Sequence, residues 1–140
     1  LLGHIDIPPA LEPVKGQIVR QGFVNYVELQ EAVSLVDVNL VPLQLSPFTF
    51  SKSELKYFEA AAVDTVTMAT PTPLFSSIIE DGHNGFLVPA GNWATRLREY
   101  ESMSLKARRD VSRRARDHAL ATYTPPVVSR DLERLFLQSN

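Results

Sequence analysis

Two groups of polar side chains stand out against an otherwise apolar pattern. The tetrapeptide Ser51-Lys52-Ser53-Glu54 reads as an S-x-x-E capping box opening a helix over residues 51–63. A helix N-terminus presents unpaired N–H groups and a partial positive charge, which favours a phosphate. Lys52 adds a full cation there and Ser53 a hydroxyl donor. The plainer reading is an ordinary capped helix. Glu59 lies further along, in the segment Tyr57-Phe58-Glu59-Ala60-Ala61-Ala62. If it faces the edge of a sheet, its carboxylate needs partners, because burying it unpaired is costly. Sugar hydroxyls would supply them; the plainer reading is a glutamate facing solvent.

Other reactive residue types are scattered. His4 ends an apolar stretch, His83 sits in a turn and His118 in a basic helix, and no pair has metal-ligand spacing. Glu80 and Asp81 are adjacent carboxylates at a helix end and read as solvated. There is no Walker loop, no G-x-G-x-x-G and no nucleophile elbow.

The elements that must position these residues alternate between strand and helix. Leu1-Leu2-Gly3 resembles the end of a strand. Residues 5–13, with three prolines, read as a loop with a weak helix, and residues 17–20 as a short strand. Tyr26 to Leu35 has helical spacing at Val27, Leu29, Val33 and Leu35, and residues 36–43 suit a strand buried on both faces. A loop over 44–50 leads into the 51–63 helix. Val66 to Ala69 is a strand, Thr70-Pro71-Thr72-Pro73 breaks it, and residues 74–80 resume helix. Asp81 to Gly85 is a turn and Phe86 to Val88 a last short strand. From Asn92 onward the spacing is helical, with Asn92 and Ser104 as N-caps and Pro125-Pro126 as a break before a final helix. Such alternation implies right-handed βαβ units around a parallel sheet. The fold class is therefore α/β, a Rossmann-like parallel sheet flanked by helices. In ligand-binding sheets of this kind the site lies beyond the carboxyl ends of the strands, here the loops 43–52 and 70–75.

Composition bounds the remaining choices. The chain has 140 residues, 44% hydrophobic and 21% charged, enough for a packed core. No stretch approaches the roughly 20 apolar residues of a membrane span. The absence of cysteine excludes disulfides, thiolate metal sites and cysteine nucleophiles. A net charge of -2 argues against general nucleic-acid binding. Residues 1–95 hold four basic and ten acidic side chains, whereas residues 96–117 hold eight basic and four acidic. That basic stretch reads first as a solvated helix face and second as a patch for a membrane surface or another anionic partner.

The run from Asp37 to Leu43, then Pro47-Phe48, then Lys52 to Ala60, then Ile79 to Val88 resembles the C-terminal nucleotide-sugar domain of GT-B glycosyltransferases, of the family-4 or group 1 bacterial type. Gly22-Phe23-Val24 fits that family's base-binding turn. The resemblance implies a donor-binding domain over residues 1–140, with 91–140 as its helical C-terminal extension. It implies that Glu59 holds the ribose hydroxyls, that Lys52 and Ser53 meet the diphosphate, and that Val24 and Tyr26 lie at the base. It also implies no metal or other cofactor beyond the nucleotide-diphosphate sugar. The acceptor, a glycan or lipid-linked molecule in surface polysaccharide synthesis, would bind through an N-terminal domain absent from these residues. On this resemblance the 140 residues alone transfer no sugar, and the location is cytoplasmic, with peripheral contact to the inner membrane face. Leu132, Leu135, Phe136 and Leu137 would drive dimer contacts.

The sequence departs from the family at three places. Ser51 stands eight residues before Glu59, where the family commonly has a second glutamate. Asp64 and Val66 stand where it often has glycine and proline, and Thr70-Pro71-Thr72-Pro73 replaces a glycine-rich turn. The missing second glutamate favours the alternative, a non-catalytic α/β binding or interaction domain that kept the fold.

Overall fold

The computed structural model describes residues 6–124. His4, the strand expected at Leu1 to Gly3, the Pro125-Pro126 break and the apolar residues 132–137 lie outside them. A 3-10 helix, Pro9–Gln17, comes first. Then follow α1 (Tyr26–Ser34), β1 (Val38–Val41), α2 (Pro47–Phe50), α3 (Leu55–Ala62), β2 (Val66–Ala69), α4 (Pro73–Ile78), β3 (Phe86–Leu87), α5 (Trp93–Ser102) and α6 (Leu105–Tyr123).

The three strands form one parallel sheet in the order β1-β2-β3. Val38 is in register with Val66 and Val41 with Ala69; Met68 pairs with Phe86. All four residues of β2 are buried, as expected for a central parallel strand covered on both faces. Side chains alternate between two clusters. Val41 and Ala69 join Tyr57, Ala61, Phe75, Ile79, Ala115 and Ala119 on the face under α3 and α6. Val66, Met68, Phe86 and Val88 join Tyr100 and Val111 on the face under α5, with Val38 packed against them. The basic helix α6 thus contributes Val111 to one cluster and Ala115 and Ala119 to the other. Every fully buried side chain among the described residues lies between Val41 and Ala119.

Several elements differ from the expectations. Among the described residues no strand forms over 17–20: Gln17 ends the 3-10 helix, Ile18 to Arg20 are irregular, and Gln21 sits in a bridge. Val19 and Gln21 line one groove together with Val38, Asn39 and Leu40 of β1. The strand expected over 36–43 shortens to Val38–Val41, because Pro42 has no N–H to give the ladder. The loop expected over 44–50 contains α2, and the helix expected from Ser51 starts only at Leu55. Proline explains the shift. Pro47 takes the first helical position, where a missing N–H costs nothing. Ser46 before it is extended and caps α2: its Oγ accepts from the Thr49 N–H at 3.2 Å, and its own N–H donates to Thr49 Oγ1 at 2.9 Å.

Turns fix the remaining connections. Asp64 ends α3 with φ +59°, the left-handed conformation that glycine adopts most easily, and its carboxylate pairs with Arg116 at 2.9 Å. In the 81–85 turn, buried Asn84 accepts from the Glu80 N–H at 2.8 Å and donates to the Ile78 carbonyl at 3.0 Å. Asp81 is not merely solvated. Its carboxylate accepts from the Leu87 N–H at 2.9 Å and from Arg96 at 3.1 Å. Gly85 lies against β2, where a Cβ would stand 3.1 Å from the Thr67 carbonyl oxygen.

Candidate functional site

The expected residues fall into two groups, on the leads into α3 and α1. Lys52 and Ser53 occupy the exposed turn between α2 and α3, not a helix start. The Ser51–Glu54 capping box is absent. Ser51 is the C-cap of α2, and its hydroxyl donates to the Pro47 carbonyl at 3.2 Å. Glu54 is the N-cap residue of α3 and makes no side-chain cap bond. The Lys52 ammonium sits 4.5 Å over the Phe48 ring, a cation–π contact at an exposed site.

Glu59 lies one helical turn into α3 and is half-buried. It lines a groove of about 600 Å³ between α1, α3 and β1, with Lys56 beside it on the same helix. Val19, Leu29, Val33 and Leu40 give this groove its apolar character. Among the described residues no hydrogen bond or ion pair engages the Glu59 carboxylate. Among the described residues the side chain is thus half-buried and without a partner.

Val24 and Tyr26 flank the start of α1. Val24 is half-buried and Tyr26, the first helical residue, is exposed. Between them Asn25 forms a capping box that sequence reading overlooked: Asn25 Oδ1 accepts from the Glu28 N–H at 3.0 Å, and the Asn25 N–H donates to Glu28 at 3.1 Å. Its signal, Asn-x-x-Glu directly before a periodic stretch, was present in the sequence. The structure brings α1 against α3.

The loop 70–75 does not form an open second wall. Thr70 is buried and its Oγ1 accepts from the Leu43 N–H at 2.9 Å, which ties the chain after β1 to the end of β2. Thr72 is buried and caps α4 through the Phe75 N–H at 3.2 Å.

α3 is held in place from the opposite side. Tyr57 is wholly buried and its hydroxyl lies 3.0 Å from His118 Nδ1 on α6. Burial, and then the neighbouring Tyr123, push the Tyr57 phenol well above its ordinary value. Asn39 of β1 holds the other flank, donating to the Lys56 carbonyl at 2.9 Å.

The basic helix pairs much of its own charge. Arg113 meets Asp110 at 2.9 Å, Arg116 meets Asp64, and the Arg114 guanidinium donates to the His83 carbonyl at 2.6 Å. Arg109, Arg113 and Arg116 line one shallow concavity with the two aspartates. Among the described residues, no cluster of three His, Cys, Asp or Glu side chains could hold a metal ion, and no helix is long and apolar enough to cross a membrane.

The three-stranded parallel sheet with its flanking helices is that of the C-terminal domain of a GT-B glycosyltransferase. The family model of glycosyl transferases group 1 matches residues 3–100, and the chain belongs to that family. Among solved structures, the 1.35 Å crystal structure of the C-terminal domain of a glycosyl transferase group 1 family protein (LpcC) from Francisella tularensis is similar. It superposes with a TM-score of 0.64 at 21% sequence identity, covering 84% of this chain and 66% of that one. No curated protein matches the chain.

Proposed function

We propose that this chain is the donor-binding part of a glycosyltransferase that moves a sugar from a nucleotide-diphosphate sugar to a glycan or lipid-linked acceptor in surface polysaccharide synthesis. One observation carries the reading. Glu59 is half-buried in an apolar groove wall with its carboxylate unengaged among the described residues, on a fold of the group 1 family. Paired ribose hydroxyls are neutral donors that a carboxylate accepts from without a counter-cation. Lys52, exposed just ahead of α3, adds a cation near the helix start, where a leaving diphosphate develops charge. Val24 and Tyr26 supply an apolar contact for the base. In this reading the acceptor belongs to a second domain, and the 140 residues bind donor without turning it over. The work is done in the cytoplasm, at the inner face of the membrane, and needs no metal.

Ligand-observed NMR with UDP, GDP, ADP and CMP tests the reading. One nucleotide is expected to bind preferentially, and Glu59→Ala to weaken it by about tenfold or more, the effect of losing a hydrogen bond to a charged group. Lys52→Ala should weaken it less. Indifference to all four at millimolar concentration would remove the donor role. A second reading, a non-catalytic interaction domain, is favoured by Ser51: the residue at the family's usual second glutamate instead uses its hydroxyl to close α2.

A further inference from the structure

Asn84 is followed by Gly85, whereas Tyr26, Leu40 and Trp93 follow the other described asparagines, Asn25, Asn39 and Asn92. An asparagine amide is open to attack by the backbone nitrogen of the next residue, and glycine has no side chain to hinder the approach. In the folded chain the pair is kept from reacting. Asn84 is 6% exposed. Its Oδ1 accepts from the Glu80 N–H at 2.8 Å and its Nδ2 donates to the Ile78 carbonyl at 3.0 Å. Both ends of the amide are thus tied back to residues 78–80, away from the residue that would attack. The turn backbone is fixed as well: the Gly82 N–H donates to the Gly85 carbonyl at 2.8 Å and the His83 N–H to the Glu80 carbonyl at 2.9 Å. From outside, Arg114 of α6 holds the His83 carbonyl, and the Asp81 carboxylate links the turn to Leu87 and Arg96.

We propose that Asn84-Gly85 is a self-modification site gated by the 81–85 turn: when the turn opens, the Gly85 nitrogen displaces the Asn84 amide nitrogen, and the acidic product no longer fits the folded seat. The Gly85 N–H gives its proton to solvent base as its nitrogen bonds to Asn84 Cγ. The Cγ–Nδ2 bond breaks, and Nδ2 takes a proton from water and leaves as ammonia. Water then opens the succinimide ring. Addition at the side-chain carbonyl leaves aspartate; addition at the main-chain carbonyl leaves isoaspartate, with the backbone routed through Cγ. Either product sets a carboxylate oxygen where the Ile78 carbonyl had an N–H, so that two buried acceptors face each other. Glu80 and Asp81, close by in the chain, add charge of the same sign. Isoaspartate also lengthens the backbone beside Gly85, where there is no slack: an added Cβ would already stand 3.1 Å from the Thr67 carbonyl oxygen. Conversion in the folded protein proceeds at the rate of the open turn multiplied by the open fraction. The change is one-way, so it records how often this turn opens. It is independent of the proposed donor role.

Peptide mass spectrometry on the chain, incubated in mildly alkaline buffer with and without unfolding guanidinium, tests this. In guanidinium the Asn84 peptide should gain the mass of an amide-to-acid change well before the Asn25, Asn39 and Asn92 peptides. Without guanidinium it should convert at least about a hundredfold more slowly, the protection expected of a turn packed on the core. Asp81→Ala removes the ties to Leu87 and Arg96 and should speed conversion in buffer about fivefold or more, while its rate in guanidinium stays that of the parent chain. Asn84→Asp, the product made directly, should lower the folded-to-unfolded ratio by about tenfold or more in chemical denaturation. Equal conversion with and without guanidinium overturns the gating, and so does an Asp81→Ala variant that converts in buffer at the parent rate. Conversion in guanidinium no faster at Asn84 than at Asn39 overturns the site itself. An Asn84→Asp chain as stable as the parent overturns the one-way step.

Discussion

The Tyr57 hydroxyl and His118 Nδ1, 61 positions apart in the chain, meet at 3.0 Å and fasten α3 to α6. Tyr57 is wholly buried, and His118 is the one partner its phenol has among the described residues. The phenol proton therefore goes to Nδ1, since a bond in the other direction would leave a buried O–H unmet. His118 is half-buried and its ring also meets Tyr57 and Tyr123 edge-on.

This geometry makes the two partners unequal. Tyr57→Phe removes one hydrogen bond and leaves a half-buried imidazole nitrogen within reach of water, so the loss should be about 1 kcal/mol. His118→Leu strands the buried phenol and should cost about 1–3 kcal/mol. Urea unfolding of the two variants checks the order; a larger loss in Tyr57→Phe would contradict it.

Stability should fall on the alkaline side. Burial raises Tyr57, Tyr100 and Tyr123 above the ordinary 10.0 of a free phenol. Between that value and the raised one, the folded state holds protons that the unfolded chain releases. The contribution is complete below pH 10 and lost as pH climbs through the folded values. Thermal melts from pH 8 upward should show the decline, and Tyr57→Phe should flatten it.

Ser46 and Ser51 separate the observed start of the helix from the expected one. Ser46→Ala removes the cap of α2 and should cost about 1 kcal/mol. Ser51→Ala removes one exposed bond and should stay within about 0.5 kcal/mol. Chemical denaturation of the pair would show the reverse order if the helix began at Ser51.

Gly85 is packed against β2. A Cβ there would meet the Thr67 carbonyl oxygen at 3.1 Å and Ile79 Cγ2 at 3.3 Å. Gly85→Ala should therefore destabilise by about 1–3 kcal/mol, the usual cost of overpacking. Gly16, where an added methyl would meet nothing within 4 Å, is the control, and Gly16→Ala should change stability by no more than about 0.5 kcal/mol.

The parallel sheet was legible because each strand carried its own pattern. Val66 to Ala69 is apolar or β-branched throughout and becomes the central strand, with the same bounds in sequence and structure. Tyr26 to Ser34 and the Ser104 cap were readable from local spacing, and Ser104 indeed accepts from the Ala107 N–H at 3.2 Å. The strand expected at 17–20 depends on a neighbour as well as on its own residues; Ile18 to Arg20 are irregular, and Gln21 alone takes part in a bridge. The capping box at Ser51 failed because two serine signals compete within six residues, and Pro47 decides for Ser46. Glu59 could be singled out by its apolar surroundings. Its place on a groove wall could not, because that depends on how α1 leans on α3. Asp81, read as solvated, makes bonds to Leu87 and Arg96 that appear only once the turn and α5 are folded together.

Among the described residues, the confinement of all fully buried side chains to the stretch from Val41 to Ala119 implies a thermodynamic polarity. Residues 6–35 contribute only half-buried and exposed groups, so local opening should begin there at a fraction of the global unfolding free energy. Residues 6–35 should then open and re-form while the core from Val41 to Ala119 stays closed. Any ligand that must touch both α1 and α3 spans this boundary, and part of its intrinsic affinity goes into ordering the looser side. Occupancy of the site and cooperativity of unfolding are then two readings of one equilibrium, and a tight binder should merge the two halves into a single melting unit.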